Sequence, residues 1–156
     1  VDSGKVYGID FDAHIKLIQT EKNRLTVNSN LSLLGSEVRD ATTNEMRRLN
    51  EQPGWLTNSS LDYFNYNLKL QFSLGVNYTD KRYIAGGTDE GTVVNTLIYD
   101  PYMQWDARVK YFFKPWGNFY LNATNIFNEP YCISQGDVTE TETVGRDIRL
   151  GISLTF

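Results

Sequence analysis

The sequence predicts an all-β chain, an antiparallel transmembrane β-barrel segment of about seven meander strands. Three observations carry that expectation: apolar and polar residues alternate over long stretches, connections are short at one end and long at the other, and aromatics gather near stretch ends. A period of two sends successive side chains to opposite faces of a strand. The 156 residues, with 22% charged side chains and a net charge of −4, set a prior of one domain spanning 1–156. That balance excludes a strongly basic nucleic-acid module and a core-poor disordered chain. Nucleic acid is therefore not an expected partner.

The strands follow in order. Tyr7, Ile9, Phe11, Ala13, Ile15 and Leu17 oppose Gly8, Asp10, Asp12, His14 and Lys16. Leu25, Val27, Leu31 and Leu33 oppose Thr26, Asn28, Asn30 and Ser32, with Ser29 a small exception on the apolar side. Trp55, Leu61 and Tyr63 share a face with Thr57 and Ser59, against Asn58, Ser60 and Asp62. From Leu68 to Thr79 every even position is apolar and every odd one is not. Met103, Trp105, Ala107, Val109, Tyr111 and Phe113 oppose Gln104, Asp106, Arg108 and Lys110. Phe119, Leu121 and Ala123 oppose Tyr120, Asn122 and Thr124, and Ile148, Leu150, Ile152, Leu154 and Phe156 oppose Asp147, Arg149, Gly151, Ser153 and Thr155. Segment 43–50 (TNEMRRLN) has the length of one helical turn, but its polarity suits a loop.

The connections 18–24, 65–67 and 114–118 are short, whereas 40–54, 84–101 and 128–144 are long and polar. Short turns on one side and long loops on the other are the layout of an outer-membrane barrel. A soluble sandwich also alternates, but three features separate the cases. The strands exceed the usual five or six residues and reach the length of a tilted membrane-spanning strand. The polar face keeps ionised groups at mid-strand: Asp10, Asp12, Lys16, Lys69, Asp106, Arg108, Lys110 and Arg149. Aromatics flank both ends, with Phe64, Tyr66, Phe112, Phe113 and Trp116 near short turns and Tyr78, Tyr83, Tyr99, Trp105 and Tyr131 toward long loops. Those positions match the two aromatic girdles of a membrane barrel. The apolar face is thus expected to meet outer-membrane lipid and lipopolysaccharide.

In hydrocarbon every backbone polar group needs a partner, so the sheet must close without edges. Bacterial single-chain barrels have an even strand number. Seven strands are therefore expected to be the C-terminal part of a larger barrel, with its remaining strands as partners.

Segment 121–131 (LNATNIFNEPY) resembles the Asn-Leu/Ile-Phe-Asn/Asp-x-x-Tyr stretch of the penultimate strand in TonB-dependent outer-membrane receptors. Gly145-Arg146 followed by the alternating 148–156 strand resembles that family's terminal strand, and 73–83 (SLGVNYTDKRY) and 34–39 (LGSEVR) resemble its strand-to-loop patterns. The resemblance implies a barrel of about 22 strands with a plugged lumen, in the outer membrane of a Gram-negative bacterium. It implies active uptake of a scarce nutrient, such as a metal chelate, cobalamin or glycan, with energy from the TonB complex. The plug that would contact that complex matches no part of this chain. A passive porin, or a structural or secretion-associated barrel, is the alternative.

The lumen-facing candidates are Asp10, Asp12, His14, Lys69, Asp106, Arg108, Lys110 and Arg149. Cross-strand pairing that holds register is the simpler role for them, ahead of a substrate path. The terminus fits polar-x-Gly-x-x-apolar-x-apolar, with Arg149, Gly151, Leu154 and Phe156 as its elements, and resembles the signal read by the barrel-assembly machinery. An unpaired last strand suits capture by strand addition.

No catalytic arrangement and no cofactor or metal site is expected. Asp10, Asp12 and His14 share a face, but two carboxylates and one imidazole do not close a site. Asp137, Glu140 and Glu142 read as a solvated acidic loop before a Ca²⁺ site, and 86–91 (GGTDEG) lacks the Lys-Ser/Thr of a P-loop and reads as a flexible loop. Arg47 and Arg48 read as a solvated pair, with clamping of an anionic lipopolysaccharide group the sharper alternative. Cys132 has no base partner in sequence. The sequons at Asn58, Asn77 and Asn122 fall within strands and read as chance.

Overall fold

The computed structural model describes residues 4–39, 46–84, 87–89, 92–94 and 96–155, and every regular element among them is a β-strand. In chain order these are β1 (Gly4–Gln19), β2 (Asn23–Arg39), β3 (Met46–Arg47), β4 (Trp55–Asn65), β5 (Leu70–Thr79), β6 (Arg82–Ile84), β7 (Gly87–Asp89), β8 (Thr92–Val94), β9 (Leu97–Tyr99), β10 (Tyr102–Lys114), β11 (Gly117–Thr124), β12 (Tyr131–Gln135), β13 (Val138–Glu142) and β14 (Asp147–Leu154).

The long strands form one antiparallel sheet in the order β1-β2-β4-β5-β10-β11-β14, with β3 paired to β2. These are the seven strands that alternation predicts, in meander order. The sheet does not close among the described residues, since β1 and β14 occupy its two ends. Register is continuous across it: β4 and β5 pair from Leu56↔Thr79 to Asn65↔Leu70, and β5 and β10 from Thr79↔Tyr102 to Leu70↔Tyr111. Because register keeps parity, one face collects the apolar set and the other the polar set.

Burial separates this sheet from a soluble sandwich. Val38 and Tyr102 are the buried apolar residues among those described. Leu61 is 36% exposed and Leu121 43%, although both lie on interior strands. No second layer covers the apolar face among the described residues.

The short turns are built locally. At the first, Thr20 Oγ1 accepts the Asn23 amide at 2.9 Å. In the second, Asn65 Oδ1 accepts the Leu68 amide at 2.8 Å, and Lys69 takes a φ of 53°. That left-handed residue starts β5 at Leu70, two residues later than the alternation predicts, and removes Lys69 from mid-strand to the turn. Lys114↔Gly117 closes the third connection tightly.

The long connections differ from the loops expected of them. Strands β6, β9, β12 and β13 form a second sheet in the order β13-β12-β9-β6, and β7 pairs with β8. The second sheet repeats the lateral order of the first, because β6 follows β5, β9 precedes β10, β12 follows β11 and β13 precedes β14. The 97–99 and 131–133 runs carry Ile and Tyr, residues that favour strands. Gly87–Asp89 of the glycine-rich segment is therefore a strand, while Gly86, Glu90 and Gly91 lie outside the described residues. Met46–Arg47 pairs with β2 where a helical turn was weighed, and residues 43–45 lie outside the description.

Candidate functional site

The polar face is a set of tiers that cross the strands at common register. One runs Lys16↔Thr26↔Asp62↔Ser73↔Arg108↔Asn122↔Arg149. The next toward the long loops runs His14↔Asn28↔Ser60↔Gly75↔Asp106, and the one beyond it Asp12↔Asn30↔Asn58↔Asn77↔Gln104. All three sequon asparagines lie on this face.

Hydrogen bonds between neighbouring strands knit the tiers. The His14 ring contacts Asn28 Oδ1 at 2.6 Å through Nδ1, and Asn28 Nδ2 donates to Ser60 Oγ at 3.1 Å and to Asp62 at 2.9 Å. Asp62 also accepts from Ser60 at 3.0 Å and from Ser73. Asn30 donates to Asp12 at 2.8 Å, and Ser32 donates to Asp10. The expected trio Asp10, Asp12 and His14 therefore engages β2 residues, one partner each, and no metal-holding group of three occurs among the described residues. Arg108 Nε donates to Asn122 at 2.8 Å, and Arg149 pairs with Asp147 on its own strand.

Asp106 anchors the end of β11. Its carboxylate accepts the Asn125 amide at 3.0 Å, Gln104 Nε2 at 2.8 Å and Asn77 Nδ2 at 3.3 Å. Asn125 is only 3% exposed and takes a φ of 51°. Its side chain donates to the carbonyls of Glu129 and Gly145, both at 3.1 Å, and accepts the Glu129 amide at 2.8 Å. The Asn-Ile-Phe-Asn motif is thus a corner that ends the strand and ties two loop segments together. Asn tolerates the left-handed conformation and bonds its own local backbone.

Hollows lie along the polar face among the described residues. One of about 550 Å³ is lined by Asp12, His14, Asn30, Asn58 and Asn77, and one of about 340 Å³ by Asp62, Ser73, Asp106, Arg108 and Asn122. A smaller one, about 230 Å³, lies toward the short turns among His14, Lys16, Arg24 and Phe64.

The aromatics do not all form girdles on the apolar side. Phe64 pairs with Gln71 and Arg24 in register, so its ring shares the polar parity, and it packs on Phe112 at 5.7 Å. Tyr102 and Tyr131 stack at 3.9 Å, which buries Tyr102 at the rim of β10. On the apolar parity, Trp55 stacks on Tyr78 at 4.2 Å and Phe113 meets Phe119 at 4.9 Å. At the far end Gly151 faces Tyr120, and a Cβ there would lie 2.4 Å from the Tyr120 hydroxyl. Phe156 lies outside the described residues, whereas Leu154 pairs with Gly117.

In the long-loop sheet, Arg82 stands over the Tyr99 ring at 5.0 Å. The hydrogen bond with Tyr83 holds the Lys81 ammonium above its ordinary pKa. Arg47 donates to Asn50 at 2.7 Å and to the Arg48 carbonyl at 3.1 Å, and both arginines border a hollow of about 330 Å³ with Ser36 and Glu37. Cys132 Sγ stands 3.9 Å from the Thr141 hydroxyl as a free thiol.

The sequence profile described as TonB dependent receptor-like, beta-barrel matches residues 1–126. No curated protein matches the chain, and no solved structure does.

Proposed function

The chain belongs to the TonB-dependent receptor-like β-barrel family, and from that membership we propose that it forms the C-terminal wall of an active importer. Proteins of this family are outer-membrane transporters and not enzymes. On this reading the missing strands of the barrel join β1 and β14, and the polar face lines the lumen. The apolar face meets lipid and lipopolysaccharide. Asp10, Asp12, His14, Asp106, Arg108, Lys110 and Arg149 are lumenal, and Lys69 sits at the lumen's periplasmic rim. The cargo is a scarce nutrient of the metal-chelate, cobalamin or glycan class. Energy comes from the TonB complex through a plug on the same polypeptide.

One observation supports the reading most: a single-layer meander whose polar face is hydrogen-bonded within itself while its apolar face is left uncovered. Uptake of labelled chelates, cobalamin and oligosaccharides by cells with and without the parent protein tests it. Import of one of them that is lost on removing either the parent protein or the TonB complex supports the reading. Import that persists without the TonB complex shows a passive pore instead.

Arg149, Gly151, Leu154 and Phe156 are proposed as the assembly signal. The strand-edge position of β14 supports this, since its outer edge is unpaired among the described residues. Deleting Phe156 is expected to lower heat-modifiable barrel in outer-membrane fractions. Insertion at the normal level would overturn the assignment.

A further inference from the structure

On the polar face the acids of β1, β10 and β14 stand above their bases, whereas Asp62 of β4 lies in the tier of Lys16, Arg108 and Arg149. Strands β1, β10 and β14 run in the same direction, and each meets its acid first: Asp10 and Asp12 before Lys16, Asp106 before Arg108 and Lys110, Asp147 before Arg149. Every one of these carboxylates therefore stands closer to the long loops than the polar-face cations of its own strand.

The two groups also differ in how they are satisfied. Asp10, Asp12, Asp62 and Asp106 all accept from neutral Ser, Asn, Gln or backbone donors. Among the described residues none of these four meets a cation in an ion pair, so their charge is held without consuming the bases. Lys16 and Lys110 have no hydrogen bond or ion pair among the described residues, and Arg24 meets only the Phe64 ring, at 5.9 Å. Unpaired cations that line a concave wall focus a positive potential and raise the local concentration of anions.

Lys16 and Arg24 converge with His14 on the hollow of about 230 Å³ at the short-turn end. Asp62 reaches the same hollow and keeps its charge while Asn28, Ser60 and Ser73 engage its oxygens, so the two cations Lys16 and Arg24 outweigh the one anion there. The volume lies below that of pockets for drug-sized molecules, so it fits a charged group and its water. We propose that this hollow is a binding site for a phosphate or carboxylate group of a soluble anion. Arg24 supplies the planar fork that matches such oxyanions, and Lys16 supplies a point charge. The assignment rests on the reading of the polar face as a lumen.

The test uses the complete parent protein in outer-membrane vesicles, with inorganic pyrophosphate and citrate as probes at constant ionic strength. Lys16 is labelled with a water-soluble amine reagent, and Lys5 and Lys22 serve as references. Protection of Lys16 alone by pyrophosphate identifies phosphate recognition, and protection by citrate identifies carboxylate recognition. Arg24→Gln is expected to raise the protecting concentration about tenfold, the loss of one charge-assisted contact. Lys114→Gln, at the end of β10 and outside the lining of the hollow, is expected to leave it unchanged. Protection by neither anion, equal protection of Lys5 and Lys22, or no effect of Arg24→Gln overturns the site. Lys16 that is inert to the reagent also overturns it, because the hollow is then filled by protein. Labelling of Lys16 only by a lipid-soluble reagent instead overturns the lumen reading itself.

Discussion

The long-strand sheet and the long-loop sheet share one lateral order but are held by different means. In the long-strand sheet, β4 and β5 stay in register from Leu56↔Thr79 to Asn65↔Leu70, and alternation assigns every side chain a face. In the long-loop sheet, β6 and β9 pair only from Arg82↔Tyr99 to Ile84↔Leu97, and the faces mix charged, aromatic and aliphatic residues. Between β11 and β12 and between β13 and β14 the boundary falls at Asn125, Asn128 and Gly145, all with positive φ. A wall between two media is specified by its pattern; the extension beyond it depends on corners and on pairing between distant segments.

The largest expected effects come from violating the wall's two environments. Leu74→Arg places a charge on the uncovered apolar face and is expected to cost about 2–4 kcal/mol at mid-bilayer. Ser73→Arg, one residue earlier on the polar face, is expected to cost much less. Urea unfolding of the parent barrel in lipid vesicles reads both, and equal losses would show that the faces are wrongly assigned.

The corner between the sheets comes next. Asn125→Ala removes a buried side chain with three hydrogen bonds, and about 1–3 kcal/mol is expected for the groups left unpaired. Asn125→Gly keeps the backbone conformation and loses only the side-chain bonds, so it is expected to fall between Ala and the native residue. Smaller is the effect of Gly151→Val, which drives a side chain into the Tyr120 ring. Overpacking a filled core costs about 1–3 kcal/mol, and because the half-buried Tyr120 ring can swing aside the low end, about 1 kcal/mol, is expected here. A second change, Tyr120→Ala, is expected to restore much of it. A double-mutant cycle measured by heat modifiability checks the coupling, and additive losses would show that the two residues do not meet.

The long-loop sheet gives the smallest effect. Val138 on β13 is 69% exposed, and Val138→Asp is expected to change barrel stability by no more than about 0.5 kcal/mol. A loss as large as that of Leu74→Arg would erase the distinction between the sheets.

Much of the wall was legible because period-two alternation is a local signal. The seven strands and the polar set His14, Asp106 and Arg108 follow from parity, and the meander order from connections too short for crossovers. Lys69 was misplaced because Asn65 caps the turn through its side chain and lets Lys69 go left-handed, which hydropathy does not register. Phe64 read as a membrane-girdle residue by composition, although counting from Asp62 puts it on the polar side. The long-loop sheet was not legible, since β9 finds β12 more than thirty residues away and each run is too short to show a period. Asn125 was visible as part of a motif, but its role as a buried corner appears only once Glu129 and Gly145 converge on it. The order of acid before base along β1, β10 and β14 was present in the sequence and became meaningful only when the register aligned those strands.

The central claim is that β5 separates lipid from water. Single spin labels at positions 70–77, introduced into the complete parent protein with Cys132 replaced by Ser and reconstituted in lipid, test it most directly. Accessibility to oxygen is expected to peak at 70, 72, 74 and 76, and accessibility to a water-soluble nickel chelate at 71, 73, 75 and 77. Accessibility without a period of two, or with the two sets exchanged, would contradict the account.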